Sequence, residues 1–340
     1  MRAPGVVVPE EVSFLGELDA PLHPKIRRLL LRGFTLRGAA EAEPWTRASV
    51  CRRLDDFAVK GGGDLMQSLA IPLPGSVAAH VLGVPDELHD QVMDWCNELL
   101  HSTWPATGKT EKGEGIAECF PELTEVLDGL IRQRHEAGDD APDDLLKVMA
   151  LSRDVDGWHI PDQHIRTLSV NILAGSLSAS YMIGNLLYRF ITDEEGFTEK
   201  LRADRSKVPG AVEESLRYEA PVTFLMRTAR AETEIGGCPV HAGDHIMMGI
   251  ASAGRDETAY PDADVYDMDR VQEPEHVAFG AGPHLCLGNH LTRMAGKVVL
   301  EEMLDRFAPG QVRLAPGFEW VCVAHIQEYG PEALDVVVDA

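Results

Sequence analysis

Positive charge is scarce in this 340-residue chain: 31 Lys and Arg stand against 55 Asp and Glu, a net charge of −24. Such a surface repels phosphate backbones and anionic bilayers, which excludes nucleic acid and membrane as partners. Cys-x-x-Cys spacing is also missing. The six cysteines, Cys51, Cys96, Cys119, Cys238, Cys286 and Cys322, are scattered along the chain. They read as reduced cytoplasmic thiols, not as a disulfide framework. The opening MRAPGVVVPEE has no long apolar run and therefore no signal peptide. The most apolar later stretch, 170–190, is broken by Asn171, Ser176, Ser178, Ser180 and Asn185, so it reads as a buried helix and not a membrane span. No internal repeat and no flavin or iron–sulfur motif is visible.

A 44% hydrophobic content is enough for a sizeable core, and the whole chain, 1–340, is expected to form a single domain. Periodicity predicts a basic helix over Leu22–Gly33 and further helices at 41–61, 86–103, 121–137, 143–151, 161–191, 194–204 and 208–219. Residues 64–83 read as two helices around a Pro-marked break. From 222 to 250 short strand-like pieces are separated by Gly236–Gly237 and Gly243. Residues 254–278 read as irregular coil, 289–306 as the last helix, and the tail from Val312 as hairpins. The fold class is mainly α with a small β portion.

Residues 279–288 read FGAGPHLCLG and surround Cys286 with Phe279, Gly280, Gly282, His284 and Gly288. This decapeptide resembles the haem-thiolate loop of the cytochrome P450 family. A thiolate is a strong donor to haem iron, and it needs burial and hydrogen bonds that hold its charge. Glycines at 280, 282 and 288 let the backbone turn with amides aimed at sulfur, Pro283 stiffens the turn, and Phe279 can shield the sulfur. The following helix places its positive end near the thiolate.

Four further segments resemble the same family, in the same order. Glu214-Ser215-Leu216-Arg217 is an E-x-x-R on a helix; by itself it is an ordinary ion pair, but the resemblance adds Arg270 as a third member that fixes the coil carrying Cys286. Arg227, in Met226-Arg227-Thr228-Ala229, matches the family's propionate-binding arginine, with His284 as a second propionate partner. His23-Pro24-Lys25-Ile26-Arg27 is similar to the H-x-x-x-R of the proximal helix, so His23 and Arg27 are expected at propionates too. Residues 254–270, GRDETAYPDADVYDMDR, match the family's coil, with Gly254 where asparagine is common. The resemblance covers about residues 15–335, in the style of the soluble bacterial branch. It implies the cytochrome P450 fold, haem b (iron protoporphyrin IX) held by Cys286, and monooxygenase activity of the kind used in secondary metabolism.

Two departures stand out. In Ala174-Gly175-Ser176-Leu177-Ser178 the family's acid and threonine are replaced by Leu177 and Ser178. Gly175 still permits a local opening of the helix, Ser178 can anchor water on the oxygen-binding side, and Asn171 is a possible helper. Leucine, however, cannot relay protons. Secondly, the chain starts almost at the His23 helix. The fold is therefore expected to be N-terminally shortened, without the first helices and part of the main sheet, leaving unpaired edges and exposed apolar surface.

Electrons must come from outside, and a ferredoxin-type donor with its reductase suits a basic patch of Arg28, Arg32, Arg293 and Lys297. The substrate is expected to be an apolar small molecule (a terpene, steroid, fatty acid or polyketide) lined by Leu173, Leu177, Met182, Val222, Phe224 and Leu225. Several alternatives stay open: a haem-binding protein without turnover, a catalyst of coupling, ring closure or peroxide-driven oxidation, and an inactive truncated homologue.

Overall fold

The structure, a computed structural model, describes residues 13–103 and 120–339. Cys119, one of the six cysteines, lies outside them; Cys51, Cys96, Cys238, Cys286 and Cys322 are all free. Helices dominate. Helix α1 (Leu22–Phe34) buries His23, Ile26, Leu30 and Phe34, a stripe at three- and four-residue spacing. Helix α2 (Leu36–Val59) begins well before the predicted 41 because the Thr35 hydroxyl accepts from the Gly38 amide at 3.1 Å and caps it. Then come α3 (Pro72–Leu82), α4 (His89–Thr103), α5 (Pro121–Ala137) and α6 (Leu145–Leu151).

The expected single helix over 161–191 is two helices, α7 (Asp162–Ala174) and α8 (Leu177–Thr192). The Leu173 carbonyl, which would serve the amide four residues on, is taken instead by the Ser176 amide at 3.2 Å and the Ser176 hydroxyl at 2.6 Å. A serine bonding back in this way opens a helix. The combined stretch Asp162–Thr192 is long and apolar enough to cross a membrane, but most of it is buried inside the protein, as for a central core helix.

The chain continues through α9 (Phe197–Ala203) and α10 (Val208–Tyr218), where Pro209 sits in the first turn. Helix α11 (Ile250–Gly254) is short. Helix α12 (Asn289–Arg306) falls where periodicity places it and packs along α2 and against α8 and α10. Ion pairs from Arg47 to Glu301 and Glu302, and from Arg306 to Asp55, stitch α2 to α12.

The β portion is small. Strands β1 (Gly62–Asp64), β6 (Val312–Leu314) and β7 (Asp335–Val338) form an antiparallel sheet in the order β1-β7-β6. The glycine triplet 61–63, read from sequence as a helix breaker, also supplies a strand. A Cβ on Gly62 would lie 2.3 Å from the Val336 carbonyl oxygen, so only glycine lets β1 approach β7. Strand β2 (Phe224–Thr228) pairs with β5 (His245–Gly249), and β3 (Thr233–Ile235) with β4 (Cys238–Val240) across left-handed Gly236 and Gly237. Among the described residues β2 and β5 pair only with each other, and Met247 stands largely exposed on β5.

The coil at 254–278 is held from beneath. Glu214 and Arg217 on α10 are fully buried and pair through two hydrogen bonds of 2.6 and 2.8 Å. Arg217 also donates to the carbonyls of Gly254, Ala263 and Val265, and Arg270 joins Glu214 at 3.2 Å while reaching the carbonyls of Pro261, Asp262 and Val265. Burial alone would push the Glu214 carboxyl up. Bonds from Arg217 and the Asp267 amide prevail and hold it below the ordinary carboxylate value. The Glu214–Arg217–Arg270 network thus joins as expected, and it fixes the path into the Cys286 loop.

Candidate active site

A cavity of about 250 Å³ lies between the Cys286 loop, α1, α3 and the break between α7 and α8. Cys286 reaches it from a tightly built loop. The Gly280 and Gly282 backbones are left-handed, with φ of 70° at both, as a tight turn requires. The Cys286 amide donates to the Phe279 carbonyl at 2.8 Å, and the Leu285 amide to Gly282 at 3.0 Å. Gly288 differs from expectation: its φ is −81°, so no turn demands glycine there. It lines the cavity instead, and a Cβ on it would meet nothing within 4 Å. Burial pushes the Cys286 thiol up, while the amides of Gly288 and Asn289, at the start of α12, and the charges of Arg27 and Arg293 favour its thiolate. Cys286 as a residue is half-buried and lines the cavity.

One end of the cavity gathers cationic and imidazole groups. Arg27 Nη2 donates to the Leu285 carbonyl at 2.7 Å, tying α1 to the loop. The rings of His23 and His284 lie 4.2 Å apart. Burial first, then His284 and Arg27, lowers His23 below the ordinary imidazole value; burial likewise lowers His284, with Asp19 pulling the other way and Arg227 and Arg27 adding to the lowering. His23 Nε2 is buried with no hydrogen-bond partner. An orphaned ring nitrogen beside a second histidine and a guanidinium is a cradle for carboxylates. Arg227 acts on His284 through its charge, but it does not line the cavity: it is exposed on β2 and donates at 2.9 Å to the Met226 carbonyl.

The wall formed by α7 and α8 corrects the sequence reading. Asn171, Ile172, Gly175, Ser176 and Ala179 line the cavity; Ser178 and Leu177 do not. The lining positions recur as one helical stripe. By the same periodicity Leu177 falls on the opposite side, packed on the core, and Ser178 beside the stripe. The hydroxyl presented to the cavity is therefore that of Ser176. Asn171 faces the cavity, but its Oδ1 accepts from the Leu15 amide at 3.1 Å, so it anchors the segment leading into α1, and Leu15 and Gly16 become part of the wall.

The expected pocket lining is corrected as well. Leu173 and Met182 are fully buried core, with Met182 packed at Gly296, and Val222, Phe224 and Leu225 are not in the wall. The apolar lining comes from Leu15, Leu30, Phe34, Val77, Ile172 and Leu291. Long-range contacts such as that of Leu15 leave no trace in local periodicity; the α1 stripe was the one available signal. The predicted basic patch is reduced by half: Arg293 bonds Glu213, and Lys297 pairs with Glu43 and Glu301, while Arg28 and Arg32 stay exposed.

A loop cysteine, a cluster of two histidines and an arginine, and an apolar slot brought together at one cavity are the parts that a haem-thiolate protein needs. Known proteins agree. The family model described as Cytochrome P450 matches residues 88–311. Erythromycin C-12 hydroxylase of Saccharopolyspora erythraea is 31% identical over 297 residues, 87% of this chain and 73% of that protein. Nocardicin C N-oxygenase of Nocardia uniformis is 34% identical over 303 residues, 88% of this chain and 72% of that protein. The crystal structure of CYP109E1 from Bacillus megaterium in complex with corticosterone superposes with a TM-score of 0.83 at 28% identity, over 96% of this chain and 86% of that one.

The chain belongs to the cytochrome P450 family. It has the family fold, haem b as cofactor, and the activity of a haem-thiolate monooxygenase. Like other bacterial members, it requires a redox partner and an organic substrate.

Proposed function

We propose that this monooxygenase hydroxylates an apolar small molecule of secondary metabolism, with residues 1–340 acting as one haem-thiolate domain. The observation that carries the reading is a largely apolar cavity that Cys286 lines together with the Gly175–Ser176 break. Haem iron held by a thiolate supplies the oxygen-activating chemistry. Cys286 is the iron ligand. His23, Arg27 and His284 would bind the propionates, with Arg227 adding positive charge near His284. Gly288 leaves room against the macrocycle, and the loop through Phe279 and Gly280 sets the sulfur's position. Ile172, Val77 and Phe34 exclude water and favour an apolar substrate. Ser176 takes the role foreseen for Ser178: its hydroxyl proton is committed to the Leu173 carbonyl, which leaves its oxygen lone pairs to hold a water in the cavity. A ferredoxin-type donor supplies electrons at the face of Arg28 and Arg32.

The test is direct. Purified protein, reduced and exposed to carbon monoxide, gives the absorption band of thiolate ligation, and Cys286→Ser abolishes that band. A band that survives the substitution removes Cys286 as ligand. Product formation with dioxygen, a ferredoxin and its reductase separates turnover from mere haem binding.

A further inference from the structure

Next to Glu214 on α10, Glu213 projects from a different face of the helix, toward Arg293 on α12 and His276 ahead of the Cys286 loop. Its Oε1 accepts from Arg293 Nε at 2.5 Å, and its Oε2 from Arg293 Nη2 at 3.0 Å, a bidentate pair. The same Oε2 lies 3.1 Å from His276 Nε2. The Ala278 amide donates to His276 Nδ1, so the ring proton sits on Nε2 and points at Glu213. From Arg293 the network runs inward. Its Nη1 donates to Asn289 Oδ1 at 2.9 Å, and Asn289 Nδ2 donates to the Cys286 carbonyl at 2.8 Å. The guanidinium also lies over the Phe279 ring, 4.6 Å from its centre, and the Phe279 carbonyl accepts from the Cys286 amide. Both backbone polar groups of Cys286 are thus held by residues that Arg293 touches.

We propose that Glu213 is a positioning residue for the iron-bound thiolate: it holds Arg293 under the Cys286 loop and offsets the guanidinium charge felt at the sulfur. This deepens the reading of Cys286 as iron ligand and rests on it. The charge argument has a sign. Arg293, lying over the Phe279 ring and one side chain away from the Cys286 carbonyl, brings a positive charge beside the loop and so favours negative charge at the sulfur. The reduction of iron adds a negative charge to the same site, so an uncompensated Arg293 stabilises the reduced form and raises the reduction potential. Glu213, strongly ionised between burial on one side and the His276 and Arg293 bonds on the other, keeps that charge compensated.

The experiment uses full-chain holoprotein and reads the reduction potential and the reduced carbon monoxide spectrum of Glu213→Gln, Arg293→Gln, the double variant and Glu213→Asp. The expected results are a potential shifted up in Glu213→Gln, shifted down in Arg293→Gln, returned toward wild type in the double variant, and unmoved in Glu213→Asp. A Glu213→Gln protein that keeps the thiolate band at the wild-type potential overturns the proposal, as does a loss of thermal stability without any shift. Should Glu213→Gln not fold, the other two single variants decide: a lowered potential in Arg293→Gln with none in Glu213→Asp supports the proposal, and no shift in either overturns it. Absence of a thiolate band in wild type overturns the Cys286 assignment itself, which distinguishes that failure from a failure of Glu213 alone.

Discussion

Two neighbouring glutamates on one helix do different work, and each makes a measurable claim. Glu214 and Arg217 are both sealed from solvent, so neither charge has water to fall back on. Removing one partner of such a pair costs more than the pair contributes, because the other charge is left buried. Arg217→Met is expected to lower unfolding free energy by about 3–5 kcal/mol, measured in urea. It should also release the Gly254, Ala263 and Val265 carbonyls, so haem retention should fall with stability. Glu213 makes a claim about pH. Its folded-state value is depressed from 4.5 to about 2, burial being outweighed by the bonds from His276 and Arg293. A depressed carboxyl contributes stability that is fully present above 4.5 and lost as pH falls through that window toward about 2. The gap in stability between wild type and Glu213→Gln, measured in urea, should therefore be widest near neutral pH and shrink toward about pH 3. A gap that stays constant with pH would mean that Glu213 gains nothing from its charge.

At the scale of elements, what sequence makes legible follows the range of the forces involved. Helix α12 was predicted with its observed bounds, because its periodic apolar face and the glycine before it are local signals. The coil at 254–278 was legible as coil, and its anchoring to Glu214, Arg217 and Arg270 followed from the family resemblance. Strand β1 was not legible: two of its residues are glycines, and it is a strand only because β7 lies beside it. A local opening at Gly175 is legible in the sequence, but the division into α7 and α8 is not: the Ser176 hydroxyl that consumes a helix carbonyl changes which side chains face the cavity, and Ser176 replaces Ser178 there. The Asn171–Leu15 bond, spanning 156 positions, was beyond any local reading. It ties the segment before α1 to α7 and so shapes the cavity wall. A buried or half-buried hydrogen bond of this kind contributes about 0.5–1.5 kcal/mol. Asn171→Leu is accordingly expected to speed amide exchange at Leu15 by roughly twofold to tenfold, since local opening then costs less. Exchange at Leu15 equal to wild type would show that the segment is held by other contacts.

For the whole molecule the governing quantity is charge. A protein of net charge −24 repels an acidic electron donor from most directions. Arg293 and Lys297 are neutralised by Glu213, Glu43 and Glu301, so they do little to change that field. Arg28 and Arg32 remain exposed on α1, and the same helix carries Arg27, which contacts the Cys286 loop directly. A donor steered to this small basic site arrives on the sulfur side of the cavity, the shorter path for an electron. Steering of this type changes association rates more than it changes the stability of the final complex. Arg28→Glu with Arg32→Glu is therefore expected to slow reduction by an acidic ferredoxin by at least about tenfold at low ionic strength. The haem spectrum and thermal stability should stay at wild-type values, because both side chains are exposed and neither joins the core or the His23–Arg27–His284 cluster. Salt supplies the internal control: with a screening length of about 3 Å at 1 M, the two proteins should converge in rate there. A slowing that persists at high salt would point to a broken contact in place of lost steering, and equal rates at low salt would move the docking face away from α1.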